Sequence, residues 1–134
     1  MIGHPQRYWV IDDDSTNNLI CDFTIRKFDR NALIDLFLIP EKALLYIEHN
    51  YSKTEKPVPT ILFLDVNMPS MTGFEFLDEF RKFSLEVQHQ FTIYMLSSSI
   101  EDFNGHAKKY PFVARFLSKP LKIAHLEKIR DQKI

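Results

Sequence analysis

The chain has 134 residues, 17 Lys and Arg against 18 Asp and Glu, a formal net charge of −1 and a single cysteine. That length fits one domain. The balanced charge argues against a nucleic-acid footprint, and one cysteine excludes an internal disulfide and fits a reducing compartment. No apolar run approaches a membrane span, and Tyr8–Ile11 is too short for the core of a signal peptide, so the expected location is cytoplasmic.

Apolar runs alternate with amphipathic segments along the chain. Tyr8-Trp9-Val10-Ile11 predicts a first strand, with Trp9 as packing. Asp14 or Ser15 is placed to cap a helix reaching about Phe28, with Leu19, Ile20 and Phe23 on one face and Cys21 as a small helix residue without a redox role. Ala32 to Leu38 predicts a second strand. Pro40 opens a helix with Leu44, Leu45 and Ile47 inward. Asn50 to Pro59 reads as the longest loop. Ile61-Leu62-Phe63-Leu64 is a strand buried on both faces, ended by Asp65 and a Pro turn. After Thr72 and Gly73, a helix carries Phe76, Leu77, Phe80 and Phe83 as core. Phe91 to Leu96 is strand four, a short weak helix near Glu101–Lys109 follows, and Phe112-Val113 and Phe116-Leu117 bracket strand five. Ile123, Leu126 and Ile129 line a last helix.

Five βα units imply a parallel sheet with helices on both faces. The expected fold is α/β, a flavodoxin-like doubly wound (βα)5 arrangement with strand order 2-1-3-4-5. It occupies residues 1–134 as one domain (core about 7–131), with no repeat, linker or output domain expected. In that order strands one and three adjoin at the switch point, where ligands bind at the carboxyl ends. Asp13 and Asp65 meet there, and Ser97 and Lys119, ending strands four and five, flank them.

Asp12, Asp13 and Asp65 gather two or three carboxylates, which raise one another's pKa or recruit a cation. Oxygen ligands of this kind suit Mg²⁺, often completed by a phosphate. A carboxylate also serves as nucleophile in aspartyl-phosphate chemistry. Lys119 supplies a point positive charge to a phosphoryl oxygen and Ser97 a hydrogen bond. Singly, each residue has a plainer reading: Asp12 and Asp14 as helix-capping acids, Ser97 as a strand-end hydroxyl, Lys119 as a solvated lysine. The paired acids are left unexplained by those readings. The five histidines are dispersed and suggest no metal site.

Ile11-Asp12-Asp13-Asp14, Leu64-Asp65-Val66-Asn67-Met68-Pro69 with Gly73-Phe74, Met95-Leu96-Ser97-Ser98 and Phe116-Leu117-Ser118-Lys119-Pro120-Leu121 together resemble the receiver domain of two-component response regulators. The likeness covers essentially the whole chain. It implies that Asp65 accepts a phosphoryl group from the phosphohistidine of a histidine kinase or histidine phosphotransfer protein. It also implies that Asp13, Asp65 and the backbone carbonyl of Asn67 bind Mg²⁺, with Asp12 acting through water. Ser97 and Lys119 then contact the phosphoryl group, Phe116 is the aromatic that follows the Ser97 hydroxyl, and Lys119–Pro120 is a cis peptide. Asn67 and Ser99 fall at positions that tune dephosphorylation, and neither is a carboxylate.

Three departures stand out. Ser97 replaces the commoner Thr, Ser98 stands where Ala is usual, and Phe116 lacks a tyrosine hydroxyl. With the chain ending at Ile134, the expectation is a stand-alone receiver, monomer or weak dimer, without nucleic-acid or membrane partners. It would signal to an unknown downstream protein through the face around strands four and five, where Phe103, Tyr110 and Phe112 offer apolar contacts. The protein is not expected to be an enzyme beyond its own phosphorylation and dephosphorylation. Two alternative readings fit the residues less well. A haloacid-dehalogenase-type phosphatase wants an acid where Asn67 stands, and a pseudo-receiver would have lost Asp65 or Lys119.

Overall fold

A computed structural model describes residues 5–52, 59–99, 105 and 108–132. In chain order the elements are β1 (Arg7–Ile11), α1 (Ser15–Phe28), β2 (Leu33–Phe37), α2 (Pro40–Asn50), β3 (Thr60–Asp65), α3 (Gly73–Phe80), α4 (Leu85–Gln88), β4 (Phe91–Ser97), β5 (Val113–Ser118) and α5 (Ile123–Asp131). The strands are parallel in the order β2-β1-β3-β4-β5, the doubly wound arrangement expected. β3 is central, and each of its six residues is buried, because helices cover both faces.

Strand alternation divides the interior into two cores. Trp9 and Ile11 of β1 and Leu62 and Leu64 of β3 face α2 and α3, with Ala43, Ile47, Phe76, Leu77 and Phe80. Tyr8, Val10, Ile61 and Phe63 face α1 and α5, with Cys21, Ile25, Leu126 and Ile129. Trp9 is fully buried among Phe37, Tyr51 and Phe91, with ring centroids 4.5, 5.4 and 5.5 Å away. Its Nε1 has no hydrogen-bond partner among the described residues, a cost of about 1–3 kcal/mol that the burial of so large a ring outweighs.

The helix faces differ from expectation in two places. Leu19, Ile20 and Phe23 do share a face of α1, but it is the solvent face: Leu19 is 64% and Phe23 68% exposed. The buried face carries Asn17, Asn18, Cys21 and Ile25. On α2, Ala43 and Ile47 are buried while Leu45 is 54% exposed. Both exceptions set apolar side chains in water.

The single turn α4 was not expected. Ser84 caps it, accepting from Val87 N at 3.3 Å, and Gln88 Nε2 ties it back to the carbonyls of Arg81 and Phe83. The helix expected near Glu101–Lys109 lies largely outside the described residues, as do Phe103 and most of the loop before Pro59. Tyr110 and Phe112 do not stand free as apolar contacts. Tyr110 is buried, donates to Asp78 Oδ1 at 2.9 Å and lies under the Arg81 guanidinium, which also covers Phe112. Among the described residues no helix is long and apolar enough to cross a membrane.

Candidate functional site

The carboxyl ends of β1, β3, β4 and β5 converge on one acidic pocket. β1 and β3 run in register to Ile11↔Leu64, so the next residues, Asp12 and Asp65, emerge side by side. Carboxylate oxygens of Asp12, Asp13 and Asp65 lie within 4.8 Å of one another. Asp12 and Asp65 are buried and Asp13 is exposed, so the cluster opens to water on the Asp13 side.

Lys119 bridges the two buried acids. Its Nζ lies 2.9 Å from Asp12 Oδ2 and 2.9 Å from Asp65 Oδ1. The backbone delivers it there: Lys119 N donates to Ser97 O at 2.8 Å, and the Lys119–Pro120 peptide is cis. Burial alone would lower the lysine's pKa, but the hydrogen bonds and charges of Asp12 and Asp65 raise it instead. Burial pushes Asp65 up to about 6; Asp12 adds to the rise, and Lys119 and the Asn67 amide oppose it.

Asp65 Oδ1 also accepts from Asn67 N at 3.4 Å, while Oδ2 takes no protein hydrogen bond among the described residues. One oxygen is thus held and the other has no protein partner among the described residues. Gly73 keeps the loop closed over this point. It donates to Val66 O at 2.8 Å, and a Cβ there would collide with the Asp65 carbonyl oxygen and come 2.8 Å from Met95 Cε. Thr72 then starts α3 with a capping box to Glu75.

Ser97 ends β4, fully buried, and its hydroxyl donates to Ser99 O at 3.0 Å while accepting from Ser99 N at 3.1 Å. Ser98 beside it is exposed. Phe116 on β5 is half-buried, 6.4 Å from the ring of Phe74, which stacks on Tyr110 at 5.6 Å.

Two residues of the site escaped the sequence reading. Asn17 Nδ2 donates to Asp12 Oδ2 at 2.6 Å, the oxygen Lys119 also holds, and Asn18 Nδ2 donates to the Asp12 carbonyl at 3.0 Å. Asp14 N donates to Asp12 Oδ1 at 2.9 Å, and the Asp14 carboxylate caps α1 by accepting from Thr16 N. The signal available was Asn17-Asn18 one turn into a helix that begins beside the acids. Asn17→Ala is expected to cost about 2 kcal/mol, the value of a buried hydrogen bond to a charged acceptor. Urea unfolding checks it, and Asn17→Asp is expected to cost more because it sets another carboxylate against Asp12.

Cys21, under this cluster, is buried, and burial with the nearby Asp12 pushes its thiol up to about 12, which keeps it protonated and inert.

A doubly wound sheet with an acid cluster and a lysine at its switch point defines a receiver-type signalling module. The profile of the response regulator receiver domain matches residues 9–130, and the chain belongs to that family, whose members are generally non-enzymatic signalling modules. No curated protein matches the sequence. Among solved structures, a two-component response regulator from Cytophaga hutchinsonii is 23% identical with a TM-score of 0.82, covering 97% of each chain. A response regulator receiver protein from Dyadobacter fermentans is 22% identical with a TM-score of 0.79, over 95% of this chain and 96% of its own. A chemotaxis protein from Vibrio cholerae is 21% identical with a TM-score of 0.73, over 98% of this chain and all of its own. At such identities the likeness speaks to the fold.

Proposed function

We propose that this protein is a phosphoacceptor response regulator of a two-component or phosphorelay system, with Asp65 as acceptor. The observation that carries this is the setting of Asp65: it lies in the cluster with Asp12 and Asp13, its Oδ1 is held by Lys119, and its Oδ2 takes no protein hydrogen bond among the described residues. In the reaction, Asp65 Oδ2 attacks the phosphorus of a phosphohistidine. An O–P bond forms, the P–N bond breaks, and its electron pair stays on the imidazole nitrogen of the donor.

The donor set fits Mg²⁺: three carboxylates within ligand range of one another, open to water at Asp13. Asp13, Asp65 and the Asn67 carbonyl are assigned as ligands, with Asp12 acting through water. Bound there, the metal supplies charge neutralisation for the phosphoryl oxygens. Lys119 already stands where a phosphoryl oxygen on Asp65 would need a cation. Ser97 exchanges its bond to Ser99 for one to the phosphoryl group, and Phe116 follows, reshaping the face around β4 and β5. Asn67 and Ser99 are assigned to tune the lifetime of the acyl phosphate.

The donor is a histidine kinase or a histidine phosphotransfer protein. α1 starts two residues after Asp13, and its solvent face bears Leu19, Ile20 and Phe23, an apolar patch next to the acceptor for a donor helix to cover. We assign a cytoplasmic receiver, monomeric or weakly dimeric, that signals by docking to a downstream protein rather than to nucleic acid or membrane.

Incubation with acetyl phosphate and Mg²⁺ followed by intact mass measurement tests this reading. The expected result is gain of one phosphoryl group, lost in Asp65→Asn and without Mg²⁺. No gain under conditions that label a control receiver means a pseudo-receiver that binds partners unmodified. Equal labelling of Asp65→Asn means the acceptor is another residue.

A further inference from the structure

A second surface lies away from the phosphoacceptor, in the groove between α2 and α3, and the inference drawn from it does not rest on phosphotransfer. The groove encloses about 640 Å³. Its floor is apolar, built from Leu44 and Leu45 of α2, Met71 of the β3–α3 loop and Phe83 beyond α3. Leu45 is 54% exposed although it sits mid-helix, so the chain leaves a leucine in water here. The rim is acidic. Glu41 and Glu48 flank the two leucines at helical spacing on one stripe of α2, and Glu79 stands opposite on α3.

Among the described residues, the one cation on the rim, Lys82, is spent within it, 3.0 Å from Glu79 Oε2. Glu41 accepts only a neutral hydroxyl, that of Ser70 at 3.2 Å, and Glu48 has no partner among the described residues. An apolar trough bordered by uncompensated carboxylates has a definite complement: apolar anchors at helical spacing, flanked by Lys or Arg. A second copy of this chain is a poor complement, because related by a two-fold axis it would set glutamates against glutamates. A metal ion is also a poor fit. Among the described residues only Asp12, Asp13 and Asp65 gather closely enough to hold one.

We propose that the α2–α3 groove is a docking site for a basic amphipathic helix of a partner protein, seated on Leu44, Leu45, Met71 and Phe83 and ringed by Glu41, Glu48 and Glu79.

The test uses the full chain and two synthetic helical peptides of about 15 residues. Both carry leucines along one face; one has lysines elsewhere and the other glutamates. Amide chemical shifts are followed as each peptide is added. The Lys/Leu peptide is expected to move residues 41–48 and 79–83, with an affinity that falls as salt rises, and the Glu/Leu peptide to leave them still. Glu41→Lys/Glu48→Lys is expected to weaken binding at least about tenfold, since reversing rim charges adds repulsion to lost attraction. Leu45→Glu is expected to weaken it as well, with circular dichroism confirming that both variants fold. Equal binding of the two peptides, shifts centred on α1 instead, or indifference to charge reversal would overturn the proposal. So would concentration-dependent self-association that Leu45→Glu abolishes, which assigns the groove to a second copy.

Discussion

Asp65→Asn is expected to raise the stability of the metal-free protein at neutral pH by about 2–3 kcal/mol while removing the acceptor. The reason is the burial of the carboxylate beside Asp12, which lifts Asp65 from 3.8 to about 6. Between those values the folded protein binds a proton that the unfolded chain has lost. The stabilisation tied to that proton is fully present below about pH 4 and is lost as pH rises through about 6. Above that range the wild type carries the cost of an ionised, poorly solvated acid, and an asparagine does not. Lys119 keeps its bond to Asp12 in the variant, so no buried cation is orphaned. Urea unfolding in a chelator should therefore show the two proteins diverging with rising pH, and converging near pH 4. A constant difference across the range would mean that the gain comes from packing and not from charge. Added Mg²⁺ should narrow the gap from the other side, by stabilising only the wild type.

Site chemistry stored in the ground state in this way is the usual signature of function. The pocket's own charges are poised against one another: three acids and one lysine leave a net negative charge in a partly buried place. A cation and a phosphoryl group relieve it together. Stability and activity thus trade through the same carboxylate, and the direction of that trade is measurable.

Much of this was legible in the sequence, for a physical reason. A strand buried on both faces must be apolar throughout, so Ile61-Leu62-Phe63-Leu64 announces itself, and a carboxylate at its end has only the sheet's rim to occupy. The same argument put Asp13, Ser97 and Lys119 at strand ends, and the parallel order sets Asp12 and Asp13 beside Asp65, with Lys119 reaching Asp12 and Asp65. What periodicity misplaced was the orientation of helices. It assumes that the apolar face turns inward, and α1 inverts that rule. Asn17 and Asn18 are drawn inside by the Asp12 carboxylate, the Asp12 carbonyl and the Phe37 carbonyl, acceptors supplied by the loop and by β2. Leu19 and Phe23 are consequently turned out. Leu45 is a milder case: Ala43 and Ile47 are the α2 residues buried in the core with Trp9 and Ile11, and Leu45 lies outside it. Tyr110 went the other way, drawn from an assumed surface into contact with Asp78 and Arg81. Each miss comes from a tertiary partner that no local pattern encodes, and the first two mark surfaces suited to docking.

Lys119→Met is expected to have the opposite effect on stability and the same effect on activity. The methionine keeps most of the side chain's volume and removes the ammonium that bridges Asp12 Oδ2 and Asp65 Oδ1 at 2.9 Å each. Two almost fully buried carboxylates are then left facing each other, with side chains 2% and 5% exposed. Breaking a buried pair by deleting one member costs about 3–5 kcal/mol, and the lysine's own 21% exposure lowers that to about 2–3 kcal/mol here. Part of the loss is expected to disappear as pH falls through about 6, where Asp65 in the folded protein takes up a proton. Adding Asp65→Asn to Lys119→Met should recover stability too, because the remaining carboxylate then faces a neutral amide. A double-mutant cycle in urea measures that coupling; strict additivity would show that the lysine contributes packing alone. For acetyl phosphate labelling of Lys119→Met, the initial rate is expected to fall about 100-fold or more, the usual loss when a cation aimed at developing oxyanion charge is removed. Mg²⁺ affinity should rise instead, since the same acids lose a competing cation. A variant that holds the metal more tightly yet accepts phosphate more slowly would separate the lysine's part in the transition state from its part in holding the pocket together.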